Sequence, residues 1–455
     1  MDSLVTLDPR AVLARGLGRA LRAGGRGGTS LPGKLLLRLE PDAIARLART
    51  LRQGSVVVSA TNGKTTTTAL AAAVLESTGT ATVHNVAGAN MAGGIASALL
   101  QRRSGAELGL FEVDEFWLDR VTAALSPRAI VLGNLFRDQL DRYGELEAIA
   151  DRWAALLSPS SARLIANADD PLIADLGRER DDTLYFGIAD AAAATGSPLA
   201  HASDSKRCRN CGEAYAYAHV YIAHLGDYAC PGCGRSRPHP AVAAHGVRLD
   251  ALRAASFELR TPLGRADVTI ALPGLYNVYN ALAAAALATA LGVSPEQIAA
   301  GLAGAAAVFG RGERVSLAGH ELSILLIKNP AGANEVLRLL GAQDGAHDLL
   351  GILNDRIADG RDVSWIWDAD FETLAPRVRH VTCAGTRAAE LALRLKYAGV
   401  APERISVTPA LDAALDGALE RAPGELYALP TYTAMLALRE LLRRRGQVRS
   451  SWADG

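Results

Sequence analysis

The stretch Ser59-Ala60-Thr61-Asn62-Gly63-Lys64-Thr65-Thr66-Thr67-Thr68 decides the fold of this chain. A β-branched run at residues 55–58 precedes it and predicts a buried strand, and an Ala/Leu-rich run at residues 69–76 follows it and predicts a helix. Amide groups at a helix N-terminus attract anions, so a strand, a tight turn and a helix in this order predict a phosphate-binding loop. Lys64 can then reach the β- and γ-phosphates of a nucleotide, and the Thr65 hydroxyl can hold Mg²⁺.

The loop departs from the full pattern G-x-x-x-x-G-K-[ST], because Val58 stands where the first glycine would be. A lone Gly-Lys-Thr could also be an ordinary start of a helix. The strand before the loop and the helix and threonine run after it favour nucleotide binding over that alternative.

The bulk composition predicts a globular protein of several domains. The chain has 455 residues, of which 49% are hydrophobic and 21% charged. Lys+Arg and Asp+Glu both number 48, so the chain lacks the global positive charge of many nucleic-acid-binding proteins. The first residues lack the pattern of a secretory signal, and the longest apolar run, residues 281–293, is too short to span a bilayer. We therefore expect a cytoplasmic protein.

The first 53 residues form a basic N-terminal segment, for which we predict helical structure. They contain nine Arg and one Lys against four acidic residues, and residues 11–21 have helical apolar spacing. One interpretation is a basic helix that contacts an anionic lipid surface. A solvated helix that leads into the next domain is favoured, because the glycines of residues 24–28 interrupt the pattern.

Three further runs predict strands of a mostly parallel sheet, at residues 108–115, 129–134 and 164–171. Ligands bind at the carboxyl ends of such strands, where Glu112, Asn134 and Asn167 are expected. Glu112 is the candidate magnesium ligand, because a hard cation beside phosphates prefers oxygen donors. The alternative for Glu112 is a carboxylate that caps a helix.

Four of the five cysteines are arranged as two Cys-x-x-Cys pairs, Cys208/Cys211 and Cys230/Cys233, separated by eighteen residues. A glycine follows each pair, which is typical of a zinc ribbon in which four thiolates bind one Zn²⁺. Four cysteine ligands complete the coordination shell, so we expect a structural site. Two redox pairs are the less favoured alternative. The nearby tyrosines at 215, 217, 221 and 228 are expected to pack a small core.

The C-terminal part of the chain contains further polar positions. Asn277 and Asn280 are one helical turn apart, which suits contacts to a base or ribose, and Arg311 lies in a Gly-hinged loop that could contact phosphate. A final α/β unit begins with predicted strands at residues 322–327 and 349–354, followed by three aspartates, Asp355, Asp359 and Asp362. From the pattern alone, turn chemistry explains these aspartates as well as a polar site does. Cys383 is expected to be a buried thiol.

Together these motifs resemble the Mur ligase family, and they occur in family order from about residue 55 to residue 335. The resemblance implies a ligase that uses ATP and Mg²⁺ to convert a carboxylate into an acyl phosphate, which an amine then attacks. It implies that Lys64 and Thr65 hold the triphosphate and Mg²⁺, that Glu112 binds magnesium, and that Asn277 and Arg311 contact the nucleotide. The rest of the implied nucleotide site is the loop itself: Thr61, Asn62, Gly63 and Thr66.

The chain departs from the family at two positions. It has Asp138-Gln139-Leu140-Asp141 where the family usually shows Asp-His-Leu-Asp, and Lys328-Asn329-Pro330 where the family usually shows His-Asn-Pro. The lysine that many members carbamylate is not evident near Trp153. These departures put in doubt a pocket for an incoming amino acid.

The zinc ribbon and residues 354–368 make the chain similar, over nearly its whole length, to the MurT family of ligase-like subunits. This resemblance implies amidation of the α-carboxylate of D-glutamate in the lipid II stem peptide to D-isoglutamine, in peptidoglycan synthesis. It also implies a heterodimer with a GatD-type glutamine amidotransferase that supplies ammonia. An aspartate of the ligase subunit would orient the partner's catalytic histidine, and Asp355 and Asp359 are the candidates.

The predicted fold is α/β, a Mur-ligase-like multidomain protein. We expect an N-terminal helical segment at 1–53, a central ATP-binding domain at 54–314 with a P-loop, a parallel sheet and a four-cysteine zinc ribbon inserted at 205–236, and a C-terminal α/β domain at 315–455 that contacts the partner. Two alternatives remain: a Mur- or folylpolyglutamate-type ligase that adds an amino acid, and a zinc-ribbon ATPase that binds nucleic acid. The missing histidines disfavour the first alternative and the neutral charge disfavours the second.

Overall fold

The computed structural model describes residues 14, 16, 30–85, 89–102, 105–138, 145–195, 204–250, 252–305, 311–317 and 319–448, with the side chains of residues 311 and 312 excepted. The basic helix predicted at residues 11–21 lies outside the described residues apart from Ala14 and Gly16, as do Gln139, Leu140 and Asp141. Among the described residues, no helix combines the length and apolar character needed to cross a membrane.

The described strands before residue 271 are β1 (Ser55–Ser59), β2 (Thr82–His84), β3 (Leu108–Glu112), β4 (Ala129–Leu132), β5 (Arg163–Asn167), β6 (Leu184–Ile188), β7 (Ala216–Ile222), β8 (Leu225–Ala229), β9 (Val242–Asp250), β10 (Ala254–Thr261) and β11 (Gly264–Ile270). Nine of them form one sheet in the order β11-β10-β9-β6-β5-β4-β1-β3-β2, and β7 pairs only with β8. The pairs from β2 to β9 in this sheet are parallel, and β10 is antiparallel to both of its neighbours, β9 and β11. The predicted parallel sheet is confirmed.

The helices of this part are α1 (Leu31–Leu39), α2 (Ala43–Ala48), α3 (Lys64–Ser77), α4 (Ala92–Gln101), α5 (Leu118–Leu125), α6 (Leu146–Leu157), α7 (Pro171–Leu176), α8 (Leu275–Ala290) and α9 (Pro295–Ala303). They cover both faces of the sheet: Val56 and Val58 of β1 pack with α3 and α8, while Val57 packs with α1, α2, α4 and α6. Because both faces are covered, every residue of β1 is buried, and the strand is continuously apolar at its centre.

The N-terminal helices are part of this packing. The backbone amide of Gly33 donates to Ser97 Oγ at 2.8 Å, and a Cβ at Gly33 would lie 2.0 Å from the carbonyl oxygen of Gly93. Helices α1 and α4 can therefore approach this closely only because both carry glycine at the crossing. This part of residues 1–53 is a structural element of the first sheet's core.

The second sheet is formed by β12 (Arg311–Leu317), β13 (His320–Leu325), β14 (His347–Ile352), β15 (Val378–Ala384), β16 (Ile405–Val407) and β17 (Glu425–Pro430), in the order β12-β13-β17-β14-β15-β16. All neighbours are parallel except β12 and β13. Helices α10 (Pro330–Gly341), α11 (Ala388–Tyr397), α12 (Leu411–Arg421) and α13 (Tyr432–Arg444) cover its two faces. Cys383 is fully buried in this sheet, and burial raises its pKa to about 12.

The expected boundary after residue 314 falls inside β12, because that strand already pairs with β13 from Arg311 onward. We therefore propose that the C-terminal domain begins near residue 311 rather than at residue 315.

Candidate functional site

The loop between β1 and α3 is the predicted phosphate-binding turn, and its backbone is held from the neighbouring strand. The side chain of Asn134, which follows β4, accepts from the amide of Asn62 at 2.9 Å and donates to the carbonyl of Asn62 at 3.0 Å. Gly63 has φ +90, and a Cβ there would lie 2.0 Å from Asn280 Oδ1. Both the conformation and the space therefore require glycine at the start of α3. Asn134, which the sequence places at a strand end, fixes the shape of this loop.

Lys64 begins α3 and is buried among carboxylates. Its Nζ donates to Glu115 Oε2 at 2.8 Å and to the carbonyl of Ala60. Burial alone would lower the pKa of Lys64, but Glu115, together with Asp114 and Glu112, raises it above its ordinary value. The ammonium group is therefore charged and positioned at the loop, as a phosphate-binding lysine must be.

Glu112 lies at the end of β3, where the sequence places it. Asn85 holds its backbone, accepting from the Glu112 amide at 2.9 Å and donating to the Glu112 carbonyl at 2.8 Å. Its side chain is buried, and it acts electrostatically on Lys64 from there. Glu112 is the last residue of β3.

Glu115 is the site residue that the sequence analysis missed. Burial would raise its pKa, but Lys64 and Lys328 hold it below its ordinary value, so the carboxylate is ionised. Trp153 donates to the Glu115 carbonyl at 3.1 Å and fixes the segment after β3. Glu115 is three residues past the strand end, so only its contact with Lys64 distinguishes it from the neighbouring acidic residues. With Glu112 and Asp114 it supplies the oxygen donors that Mg²⁺ prefers.

Helix α8 presents two asparagines toward the loop. Asn280 Nδ2 donates to Asn277 Oδ1 at 3.0 Å, and Asn277 Nδ2 donates to the carbonyl of Pro273 at 2.7 Å, which confirms that they share one helix face. Asn280 also contacts α3, because Thr67 Oγ1 lies 3.4 Å from its Oδ1. Arg311, the predicted phosphate contact, begins β12, and its side chain lies outside the described part of the chain.

Residues of the C-terminal sheet reach the same loop. Lys328 Nζ donates to Asp138 Oδ2 at 2.5 Å and to the carbonyl of Thr61 at 3.0 Å. Asn329 exchanges two amide hydrogen bonds with Asn62, at 3.1 and 3.2 Å. Burial raises the pKa of Asp138 in spite of Lys328. The Lys-Asn-Pro departure from the family pattern therefore puts a second cation beside the phosphate-binding loop.

A cleft lies where these elements meet. Its polar wall includes Asn62, Gly63, Thr66, Asn134 and Lys328. Its apolar wall includes residues from four parts of the chain, namely the segment after β4, the hairpin β7–β8, the start of α8, and α10. These residues are Phe136, Ile222, Leu225, Tyr276, Ala331 and Val336. The cleft therefore joins a phosphate-binding end to an apolar region.

The four cysteines of the predicted ribbon lie together, with all four Sγ atoms within 4.8 Å of one another. The Cys208–Cys233 and Cys211–Cys230 sulfur distances are 3.6 and 3.3 Å. Tetrahedral Zn²⁺ with Zn–S bonds of about 2.3 Å would place the sulfurs about 3.8 Å apart, so the cluster fits this metal. The amides of Gly212 and Gly234 donate to the carbonyls of the first cysteine of each pair, at 2.8 and 2.9 Å.

The backbone amide of Arg235 helps to lower the pKa of the Cys233 thiol to about 6. The Glu213 amide would lower the pKa of Cys211, but hydrogen bonds with the other cysteines raise it to about 12. Tyr215, Tyr217 and Tyr228 pack beside the cysteines as expected, with Tyr215 and Tyr228 ring centroids 4.9 Å apart. The expectation for Tyr221 is wrong: it packs in the core of the first sheet, because the far end of the hairpin reaches that core.

The two candidate aspartates of the second sheet differ in burial and in hydrogen-bond partners. Asp359 is 4% exposed. It accepts a hydrogen bond from the Thr433 amide at 2.7 Å and another from the Thr433 hydroxyl, both at the start of α13. The Asp355 side chain is 30% exposed and is held by Arg387 Nε at 2.8 Å and Thr386 Oγ1 at 2.8 Å. The Thr386 hydroxyl, and next Arg387, lower the pKa of Asp355. Asp355 is thus an ionised, oriented and accessible carboxylate, whereas Asp359 is an internal helix-capping group.

Comparisons with known proteins agree with this architecture. Residues 58–227 match the Mur ligase middle domain, and residues 326–435 match the MurT ligase C-terminal domain. A structure of a pseudomurein peptide ligase type C from Methanothermus fervidus superposes with a TM-score of 0.66 at 22% identity, covering 88% of this chain and 80% of that one. At that identity the likeness concerns the fold, and it confirms the Mur-ligase-like architecture.

Two relatives match along nearly their whole length. The "Lipid II isoglutaminyl synthase (glutamine-hydrolyzing) subunit MurT" of Streptococcus pneumoniae is 36% identical, over 93% of this chain and 94% of the relative. The protein of the same name from Staphylococcus aureus strain N315 is 34% identical, over 95% of this chain and 96% of the relative. On this basis the chain belongs to the MurT family, a family of Mur-type ATP-dependent ligases.

Proposed function

We propose that this protein is the ligase subunit of a lipid II isoglutaminyl synthase. It would use ATP to convert the α-carboxylate of D-glutamate in the lipid II stem peptide into the amide of D-isoglutamine. The observation that carries the proposal is the buried Lys64–Glu115 pair at the phosphate-binding loop of a chain that matches MurT relatives over more than nine-tenths of its length. Cytoplasmic peptidoglycan synthesis is the setting that this substrate implies.

The proposed reaction has two steps, and ATP and ammonia are the only reactants that it needs besides the substrate. A carboxylate oxygen of the substrate attacks the γ-phosphorus of ATP, the bond between the β–γ bridging oxygen and that phosphorus breaks, and ADP leaves. Ammonia then attacks the acyl carbon, the bond to the phosphate oxygen breaks, and ammonia loses a proton. Lys64 neutralises charge on the phosphates, and the loop amides between Asn62 and Thr66 hold them in place. Lys328 adds a second positive charge at the same loop.

The carboxylate set fits magnesium. Glu112 and the Thr65 hydroxyl would hold the ion, with Glu115 and Asp114 nearby, and magnesium would supply charge neutralisation on the transferring phosphoryl group. Thr61, Asn277 and Arg311 remain proposed nucleotide contacts. The four-cysteine cluster would hold one structural zinc ion, so metal analysis of the purified protein should give one zinc per chain; preparations without zinc would contradict that assignment.

Ammonia would come from a glutamine amidotransferase subunit of the GatD type, docked at the second sheet. Asp355 would orient the catalytic histidine of that subunit, as the aspartate of a catalytic triad orients its histidine. Its accessibility and its fixed orientation by Arg387 and Thr386 support this role, and Asp359 is engaged within the domain. Ammonia would also account for the two departures from the family pattern, because it needs no amino-acid pocket.

The test is a mass-spectrometric assay of lipid II with ATP, Mg²⁺ and ammonium chloride, without a partner subunit. Conversion of one carboxyl to an amide is expected. A parallel reaction supplies amino acids in place of ammonium: a product that forms only with an amino acid would support an amino-acid-adding ligase instead. Addition of a co-purified amidotransferase and glutamine should replace the ammonium salt.

A further inference from the structure

The hairpin of the cysteine ribbon reaches away from its cysteines and ends in the cleft. Strands β7 and β8 are joined by two residues, Ala223 and His224, and Ala223 has φ +48. Two-residue hairpin turns favour Asn-Gly because they need positive φ, so alanine here is in an uncommon conformation that the surroundings must stabilise. The tip of this hairpin is therefore held in a defined shape by contacts with the first sheet.

Those contacts are buried and specific. His224 is fully buried, its Nε2 lies 3.4 Å from Asp170 Oδ2, and its ring centroid lies 5.0 Å from that of Phe136. Asp170 also accepts from the Leu135 amide at 2.9 Å. The amide of Gly226 donates to the carbonyl of Asp169 at 2.9 Å. The tip is thus fixed to the segments that follow β4 and β5, beside the phosphate-binding loop.

Ile222 and Leu225, the residues on either side of the turn, line the cleft and belong to the core of the first sheet. Asn62 and Gly63 of the phosphate-binding loop line the same cleft. A nucleotide whose phosphates lie at that loop must place its base in a different part of the cleft, and flat aromatic bases favour apolar walls. The ribbon tip supplies such a wall.

We propose that the tip of the ribbon hairpin, through Ile222 and Leu225, forms part of the binding subsite for the base of the nucleotide. This inference rests on the proposed use of ATP at the Lys64 loop. It gives the inserted ribbon a role in the ligase site itself. The cysteine cluster would stabilise the hairpin that carries the tip. Leu225 lies about 16 Å along the chain from Cys230, because the five residues of β8 lead directly from one to the other.

A second connection ties the ribbon to the helix that carries Asn277 and Asn280. Arg237, just after the ribbon, donates to Asp169 Oδ1 at 2.6 Å, and Tyr279 of α8 donates to Asp169 Oδ2 at 2.6 Å. All three side chains are buried or nearly so. Through Asp169, the end of the ribbon is therefore linked to Tyr279, which lines the cleft.

The test measures base-dependent binding by calorimetry. The ligands are ATP and inorganic tripolyphosphate, each with Mg²⁺, and the proteins are wild type, Ile222→Ala, Leu225→Ala and the double variant. We expect the double variant to bind ATP about tenfold more weakly, with tripolyphosphate binding unchanged within about twofold. Val220→Ala, in the same strand but outside the cleft, is the matched control and should bind both ligands as wild type does.

The outcomes separate this inference from the proposed function. Wild-type protein that binds neither ligand would remove the proposed function and this inference with it. Wild-type binding of ATP that the double variant retains in full would overturn this inference alone, and so would an equal loss of ATP and tripolyphosphate binding.

A photolabelling experiment on wild-type protein avoids any effect of the substitutions on folding. Light-activated 2-azido-ATP should label the peptide that contains residues 221–226, and excess ATP should suppress that labelling. Label confined to peptides outside the hairpin would overturn the inference.

Discussion

The two sheets place polar groups at the carboxyl ends of their strands in different ways. At the first sheet, Lys64 and Glu115 are both more than nine-tenths buried and form an ion pair with each other. At the second sheet, the Asp355 side chain is 30% exposed and is held at the surface by Thr386 and Arg387. The first arrangement suits chemistry carried out inside the protein on a bound nucleotide. The second suits a contact completed by another molecule.

The largest effect is expected at the first sheet, where Lys64 pairs with Glu115. Lys64→Ala removes the cation that we propose contacts the phosphates and leaves Glu115 buried without it, so we expect amidation to fall by at least about 10³-fold. The measurement is the rate of amide formation with saturating ammonium. Lys396→Ala, an exposed lysine of α11, is the control and should be fully active. A cooperatively folded Lys64→Ala protein with full activity would refute the assignment.

At the second sheet, we expect a substitution of Asp355 to reduce only the amidation that uses glutamine. Asp355→Asn keeps the shape of the side chain but removes its charge, so glutamine-driven amidation with the partner present should fall about 10²-fold or more. Ammonium-driven amidation should stay near the wild-type rate, because the first sheet is unchanged. The comparison of the two nitrogen sources is the measurement.

Asp362→Asn, an exposed aspartate of the same loop, is the matched control for this prediction and should leave both reactions intact. Equal losses with glutamine and ammonium in Asp355→Asn would show that the aspartate acts on the ligase step instead.

Lys328 follows a strand of the second sheet and contacts the loop of the first sheet. We expect its substitution to have a smaller effect on activity. Lys328→Met leaves Asp138 buried without its ion pair and removes one positive charge at the Thr61 carbonyl. We expect kcat to fall about tenfold, with a weaker effect on ATP binding, because Lys64, the proposed main phosphate contact, is retained. Steady-state kinetics with ATP as the varied substrate would show this. An unchanged kcat would mean that Lys328 only links the domains.

Asp359 should affect stability rather than chemistry. Asp359→Ala removes the acceptor for the Thr433 amide and hydroxyl at the start of α13, at a cost of about 1–3 kcal/mol. Urea unfolding measures this cost. The folded variant should retain ammonium-driven amidation, and a stability equal to wild type would contradict the capping role.

Much of this account is readable in the sequence because it rests on local patterns. The strand–loop–helix around Lys64, the cysteine pairs and the asparagines of α8 are set by residues close together in the chain. Local spacing also predicted β1, β3, β4 and β5 as strands of one parallel sheet, since parallel strands alternate with helices.

The features that the sequence did not reveal depend on contacts between distant residues. Glu115 is one acidic residue among several until Lys64 folds against it. Asp355 and Asp359 look alike in the chain but differ in burial and in partners: Thr386 and Arg387 hold Asp355, whereas Thr433, 74 residues after Asp359, holds Asp359. Tyr221 and the ribbon tip belong to the first core because His224 meets Asp170 there, a pairing that no spacing encodes.

The central claim is that the first sheet activates a carboxylate as an acyl phosphate for ammonia. The most direct test uses lipid II with ¹⁸O in both oxygens of the α-carboxylate of D-glutamate, together with ATP and ammonium. The account predicts one ¹⁸O in the inorganic phosphate and one in the amide of the product. Amide formation with ¹⁸O in AMP, or with no ¹⁸O in phosphate, would contradict it.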